Sequence, residues 1–271
     1  MKFTEWLFGG IDNPVTNGRW GLLHILTLVV CAACIVGFYF LVKYAANPER
    51  VKKIVTYSLA GAILLFEIMI RFVYCMKLYY YHQPSMNGLD FLWILIPKPW
   101  CAIACWALIA SVFVKKGFFY NYAALTALLC SLIFFAYPGV GYNNQYLLFE
   151  NWYSIITHAL LLTTSITLMV FKYTDFKFKE LWKFGVALVL TFAYGLLQIY
   201  VLKTQVDPMY FMPNGDIQGI LGVSYGVYLF LYIALIVVYV GAFYCIGDKE
   251  SVKKFFPFVK AKFTKAKNDK A

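Results

Sequence analysis

The chain has 271 residues, of which 62% are hydrophobic, 20% aromatic and only 14% charged. A water-soluble domain carries nearer a quarter of charged residues, so a soluble body is excluded and the short polar linkers leave no room to hide one. The formal net charge of +11 raises nucleic acid as a partner. Its basic residues, however, are parcelled out between apolar blocks, and no nucleic-acid partner is expected.

The opening Phe3-Thr4-Glu5-Trp6-Leu7-Phe8 reads as a short interfacial segment with aromatic anchors. Apolar blocks then follow at Leu22–Val42, Ile54–Tyr74, Trp93–Val114, Phe118–Tyr137, Trp152–Phe171, Leu181–Leu202 and Tyr225–Ile246. Each is close to the roughly 20 apolar residues that cross a bilayer. The first is too long for a secretory signal peptide, and no small-residue cleavage motif follows it before Tyr44. The third is interrupted by Pro97 and Pro99. No internal repeat is visible, so an inverted-repeat transporter is not supported. The expected fold is all-α and polytopic, with seven transmembrane helices forming one membrane domain over 1–247 and a basic cytoplasmic tail over 248–271.

Seven crossings place Lys2, Arg19, Lys77 and Lys203 on one side. The other side receives Lys43, Arg50, Lys52, Lys53, Lys115, Lys116, Lys172, Lys177, Lys179, Lys183 and the lysines between Lys249 and Lys270. Short-loop lysine and arginine mark the cytoplasmic face. The expectation is therefore an outside N-terminus, an inside C-terminus and a place in the cell membrane. The tail interleaves lysine with Phe255, Phe256, Phe258 and Phe263, a composition that suits anionic inner-leaflet lipid as a partner as well as a plain solubilising tail.

The cysteines at 31, 34, 75, 101, 105, 130 and 245 lie in or beside apolar blocks, whereas a disulfide framework would put them in loops. Cys31-Ala-Ala-Cys34 has redox or metal spacing. The chain's three histidines, His24, His82 and His158, lie in separate segments, so the pair reads as packing. No metal and no cofactor are expected.

Ionisable residues inside the blocks are few: His24, Glu67, Arg71, Lys98 and His158. Such groups are costly in hydrocarbon, and each is a site hypothesis by default. Glu67 and Arg71 are four apart on one helix face and can pair. Counted at 1.5 Å per residue, Glu67, Cys101 and His158 fall at a common depth of roughly 9–14 Å below the outer surface, with His24 slightly shallower. Cys101 stands three residues after Lys98, just past the proline break, and nearby positive charge favours a thiolate.

The run Ile96-Pro97-Lys98-Pro99-Trp100-Cys101 resembles the hydrophobic-Pro-x-x-x-Cys signature of the YwaF-like bacterial integral membrane proteins. Their animal relatives include a transmembrane acyltransferase that builds polyunsaturated ether phospholipids. Tyr137-Pro138-Gly139 followed by Ile156-Thr157-His158 is similar to that family's outer loop and helix histidine. Leu23-His24-Ile25 and Phe66-Glu67-Ile68 are similar to its early histidine and helix-two glutamate. Lys98 and Pro99 depart from the family's more usual leucine and histidine.

The resemblance implies a cysteine–histidine acyl-transfer site, with Cys101 as nucleophile and His158 as base. The expected function is a lipid acyltransferase or acyl hydrolase working through a covalent thioester on a phospholipid or lysophospholipid. His24, Glu67, Arg71 and Lys98 would support it, Arg71 or Lys98 holding the lipid phosphate. The competing expectation is a transporter or channel in which His24, Glu67, Arg71 and His158 relay protons or ions without covalent chemistry.

Overall fold

The computed structural model of the chain describes residues 2–8, 20–82, 94–97, 100–137, 141–142, 146–202, 210, 212–213 and 216–253. Lys98 and the greater part of the basic tail lie outside the described residues, as do Trp93, Pro99 and the Pro138-Gly139 pair. Among the described residues the regular secondary structure is entirely helical. The chain groups into two compact units, Met1–Thr174 and Asp175–Ala271.

The first unit contains α1 (Phe3–Phe8), α2 (Leu22–Lys43), α3 (Pro48–His82), α4 (Trp100–Val114), α5 (Gly117–Ala136) and α6 (Phe149–Val170). The start of α3 is written in its sequence. Asn47 accepts the N–H of Arg50 at 3.1 Å as an N-cap, and Pro48 occupies the first helical position, where no donor is needed. α4 begins only at Trp100, because Pro97 and Pro99 lack the N–H groups that would extend a helix backwards. α5 is buried along almost its whole length. It packs on α4 and α6, while α6 also packs on α2 and α3.

Helices α2 to α6 of this unit alternate in direction. At one end, Trp6 of α1 donates to the Leu147 carbonyl at 3.1 Å, Phe8 packs with Ile70, Val73 and Phe149, and Lys77 pairs with Glu150 at 3.2 Å. At the opposite end Val55, Leu59 and Phe171 are buried together, with Phe38, Val42 and Tyr173 against them. The Tyr120 and Tyr173 rings stack there at 5.2 Å. Lys115 and Lys172 close α4 and α6 at this end with φ of 52° and 61°. That left-handed conformation usually falls to glycine, and both residues set a positive side chain at a helix C-terminus, where the macrodipole favours it.

The second unit runs through a 3₁₀ turn (Phe178–Glu180) into α7 (Leu181–Leu196), a π turn (Leu197–Val201), α8 (Asp216–Leu221) and α9 (Tyr225–Gly247). Tyr244 of α9 is fully buried and meets the rings of Phe176, Phe178 and Phe184. Gly247 is required there, since a Cβ would lie 2.6 Å from the Phe176 Cβ. Beyond α9, the Asp248 carboxylate accepts the N–H groups of Phe178 and Ser251, each at 3.1 Å.

Among the described residues each apolar block contains a helix, and six helices are long and apolar enough to cross a membrane. The other is α4. Its 15 residues span about 22 Å at 1.5 Å per residue, against a hydrocarbon thickness of about 30 Å. The chain is a multi-pass helical membrane protein, with α4 a short helix packed on α3, α5 and α6.

Candidate functional site

Two groups of polar residues sit inside the first unit, at the end that carries α1. The first centres on Glu67 of α3, which is wholly buried. Arg71, one turn later, donates Nη1–H to Glu67 Oε2 at 2.5 Å and to the Glu67 backbone oxygen at 2.8 Å. Tyr153 of α6 donates its hydroxyl to Glu67 Oε1 at 2.7 Å. Arg71 Nε reaches the Leu95 carbonyl at 3.4 Å, and the guanidinium lies 5.3 Å over the Trp106 ring of α4. Each oxygen of the carboxylate thus has its own donor, and the cation is held on three sides. A buried ion pair is tolerable only when further hydrogen bonds complete it in this way.

α4 brings its cysteines to the same place. Cys105 and Cys101 both lie within electrostatic range of the Glu67 carboxylate. Cys101 occupies the first turn of α4, where N–H groups have no helical partner. Cys130 of α5 is within range of Cys101. Exposure separates the three: Cys105 and Cys130 are buried, and Cys101 keeps part of its surface.

The second group is built from rings. His158 of α6 stacks on Phe134 of α5 with centroids 3.8 Å apart and planes 7° from parallel. Its Nδ1 lies 2.7 Å from the Ser154 carbonyl. A carbonyl only accepts, so Nδ1 carries the hydrogen, and in the neutral ring Nε2 is left as the lone-pair nitrogen. His24 of α2 is fully buried against Trp20 at 4.7 Å, Tyr142 at 5.1 Å and Phe135 at 5.8 Å. Gly141 makes the packing possible, because a Cβ there would lie 2.6 Å from Phe134 Cζ.

Of the residues singled out in the sequence, the structure thus brings Glu67 and Arg71 together with Cys101. It gathers His24 and His158 around the adjacent Phe134 and Phe135. Among the described residues no hydrogen bond joins Cys101 to His158. Tyr153, Cys105, Trp106 and Tyr142 are additions from the structure. Cys105 carried a signal, being four residues after Cys101 on the same helix face. The tyrosines and the tryptophan did not, since aromatics are common throughout this chain.

The TMEM164 family profile matches residues 19–244, a stretch that contains both polar groups and reaches into α9. The chain belongs to the TMEM164 family. No curated protein matches the chain, and no solved structure does. The family match covers Cys101 and His158 as well as His24, Glu67, Arg71 and Lys98.

Proposed function

We propose that the protein is an intramembrane lipid acyltransferase, or acyl hydrolase, with Cys101 as its nucleophile. The observation that carries this reading is the setting of Cys101: a half-buried cysteine in the first turn of α4, within electrostatic range of the Glu67–Arg71 pair. The Pro97-to-Cys101 motif and its resemblance to the YwaF-like proteins and the animal acyltransferase support the same chemistry. So does membership of a membrane family whose match spans both candidate residues.

In the first step the Cys101 sulfur attacks an ester carbonyl of a membrane lipid. The S–C bond forms as the C–O bond breaks, the thiol proton passes to His158 Nε2 and is returned to the departing alkoxide. Backbone N–H groups of the first turn of α4 would receive the carbonyl oxygen as it gains charge. In the second step an acceptor hydroxyl, of a lysolipid or of water, gives its proton to His158 and attacks the thioester. Acyl is released to the acceptor and the thiolate is reprotonated. His158 has to approach Cys101 for this, directly or through one water, and its Nδ1 bond to Ser154 keeps Nε2 in the basic form. Arg71, already neutralised by Glu67, positions α3 against α4 in this scheme; holding the lipid phosphate falls to Lys98.

The alternative, a relay through Glu67 and the histidines, is disfavoured by the two short donors that fix Glu67 in place. Acyl transfer from a phospholipid by the purified protein tests the proposal. Cys101→Ser is expected to lower turnover at least a hundredfold, and Cys105→Ser, one turn away on the same helix, to leave most of it. Full activity of the Cys101→Ser protein overturns the reading.

A further inference from the structure

By its spacing Cys31-Ala-Ala-Cys34 is either packing or a redox pair, and two features of the structure bear on the choice. The first is a shared helix face. Cys31 is buried and Cys34 half-buried, whereas Ala32 and Ala33 between them are exposed. Both thiols therefore lie on the side of α2 that packs on α6, and Cys31 Sγ is 3.8 Å from the Ala159 carbonyl. The Cα atoms of residues three apart on a helix are about 5 Å from each other, within the roughly 4.4–6.8 Å that a disulfide spans. The Cβ atoms, about 5–6 Å apart, have to close to about 4 Å, a shift confined to one turn. Among the described residues no cluster of three or more metal-ligating side chains forms, so nothing completes a tetrahedral metal site around the pair.

The second feature is a groove. Both cysteines line an apolar cavity of about 360 Å³ between α2 and α6, a volume in the range of roughly 300–1,000 Å³ that small-molecule sites occupy. Leu26 and Val30 line it too and are exposed, so the groove opens sideways toward the hydrocarbon. Cys31 and Cys34 stand nine and twelve residues after Leu22, the first residue of α2. At 1.5 Å per residue that is about 14 Å and 18 Å along the helix, and the midplane of the bilayer lies about 15 Å below its surface. Charged species are costly at that depth. A redox partner that reaches these thiols there has to be neutral, apolar and dissolved in the membrane.

We propose that Cys31 and Cys34 are a dithiol–disulfide couple that exchanges two electrons with a membrane-soluble quinone seated in this groove. In the forward direction both S–H bonds break and one S–S bond forms. The two electrons and two protons pass to the quinone, whose carbonyl oxygens become the hydroxyls of the quinol; the disulfide is the oxidised product and the quinol the reduced one. A quinone suits the site because its ring is flat, neutral and apolar, and its only polar atoms are acceptors. Thr163 lines the groove near Cys31, and its hydroxyl can donate to a quinone carbonyl. Exchange of this kind needs the two thiols within reach of each other and of the acceptor, which the shared face and the groove supply. The proposal does not rest on the acyl-transfer reading, whose residues it does not use.

The test is oxidation of the reduced, purified full chain by decylubiquinone without oxygen, followed by alkylation of the remaining thiols and peptide mass spectrometry. A disulfide between Cys31 and Cys34 is expected, formed together with one quinol per chain. Cys31→Ser and Cys34→Ser are each expected to abolish both products. Ala159→Leu, which fills the groove from the facing helix, is expected to slow the reaction at least tenfold. Val29→Trp, on the exposed face of α2, is expected to leave the rate unchanged. If Ala159→Leu fails to fold, Leu26→Trp at the exposed rim takes its place. Absence of quinol, a disulfide that joins other cysteines instead, or equal rates with the groove open and filled overturns the proposal. So does faster oxidation of the pair by hydrogen peroxide or cumene hydroperoxide than by the quinone at the same concentration, which assigns the thiols to a peroxide.

Discussion

Glu67 and His24 are both fully buried in the same helical unit, and they are treated in opposite ways. Each oxygen of Glu67 has its own donor, from Arg71 and from Tyr153. Among the described residues neither ring nitrogen of His24 has a side-chain or backbone donor or acceptor within hydrogen-bond reach. The first arrangement is finished without a ligand and holds α3 to α6. The second is held by rings, with Trp20, Phe135 and Tyr142 around it. Polarity inside this unit is therefore accommodated in two ways, by hydrogen bonds at Glu67 and by ring packing at His24.

The contrast predicts opposite signs on stability. Arg71→Ala strands a buried carboxylate and is expected to destabilise the protein by about 3–5 kcal/mol, the cost of breaking a buried pair from one side. Adding Glu67→Gln to it is expected to recover most of that loss, seen as a recovered midpoint in thermal unfolding in detergent. If the double variant is as unstable as the single one, Glu67 is not the group that Arg71 supports. Tyr153→Phe removes one hydrogen bond to a charged acceptor and is expected to cost about 1.5–3 kcal/mol in the same measurement.

His24→Phe is expected to act the other way. It removes two buried nitrogens without a hydrogen-bond partner among the described residues from an aromatic box and is expected to stabilise the protein by about 1 kcal/mol. A destabilised His24→Phe protein shows that the imidazole has a partner within the fold, and the contrast with Glu67 then fails.

Much of this arrangement was legible in the sequence, and the reasons differ by element. The apolar blocks are long and mostly bounded by polar residues, so each contains a helix among the described residues and six of these helices are long enough to cross a membrane. The Glu67–Arg71 pair follows from a spacing of four on a helix. The shortness of α4 follows from Pro97 and Pro99, but its starting residue depends on where the chain can resume hydrogen bonding after them. Tyr153 and Tyr142 were not legible. Their importance lies in which helix faces which, and periodicity within one segment carries no information about that. The common depth of Cys101 and His158 was readable along the helix axes. Rotation about those axes was not, and it turns Cys101 toward Glu67 and His158 onto Phe134.

The smallest expected effect lies outside both groups and serves as a control. Hydrogen bonds from the Ser251 side chain, then from the N–H groups of Ser251 and Phe178, hold the Asp248 carboxyl below its ordinary value of 3.8. Its support of the junction between α9 and the 3₁₀ turn is complete above pH 3.8 and is lost as the pH falls through the depressed value. Asp248→Asn is expected to speed amide exchange at Phe178 and Ser251 at neutral pH. Acid is expected to do the same in the unmodified protein, below pH 3.8 only, and neither change is expected to alter acyl transfer. Faster exchange that begins well above pH 3.8 assigns the junction to another group.

The central claim is a covalent one, and it is tested most directly by intact-protein and peptide mass spectrometry after the purified protein has been incubated with phospholipid. The account predicts an acyl adduct on the peptide bearing Cys101 that is removed by neutral hydroxylamine, is absent from the Cys101→Ser protein, and decays when lysolipid is added. Acyl transfer that proceeds with no adduct at Cys101, or with the adduct on Cys105 or Cys130 instead, would contradict it.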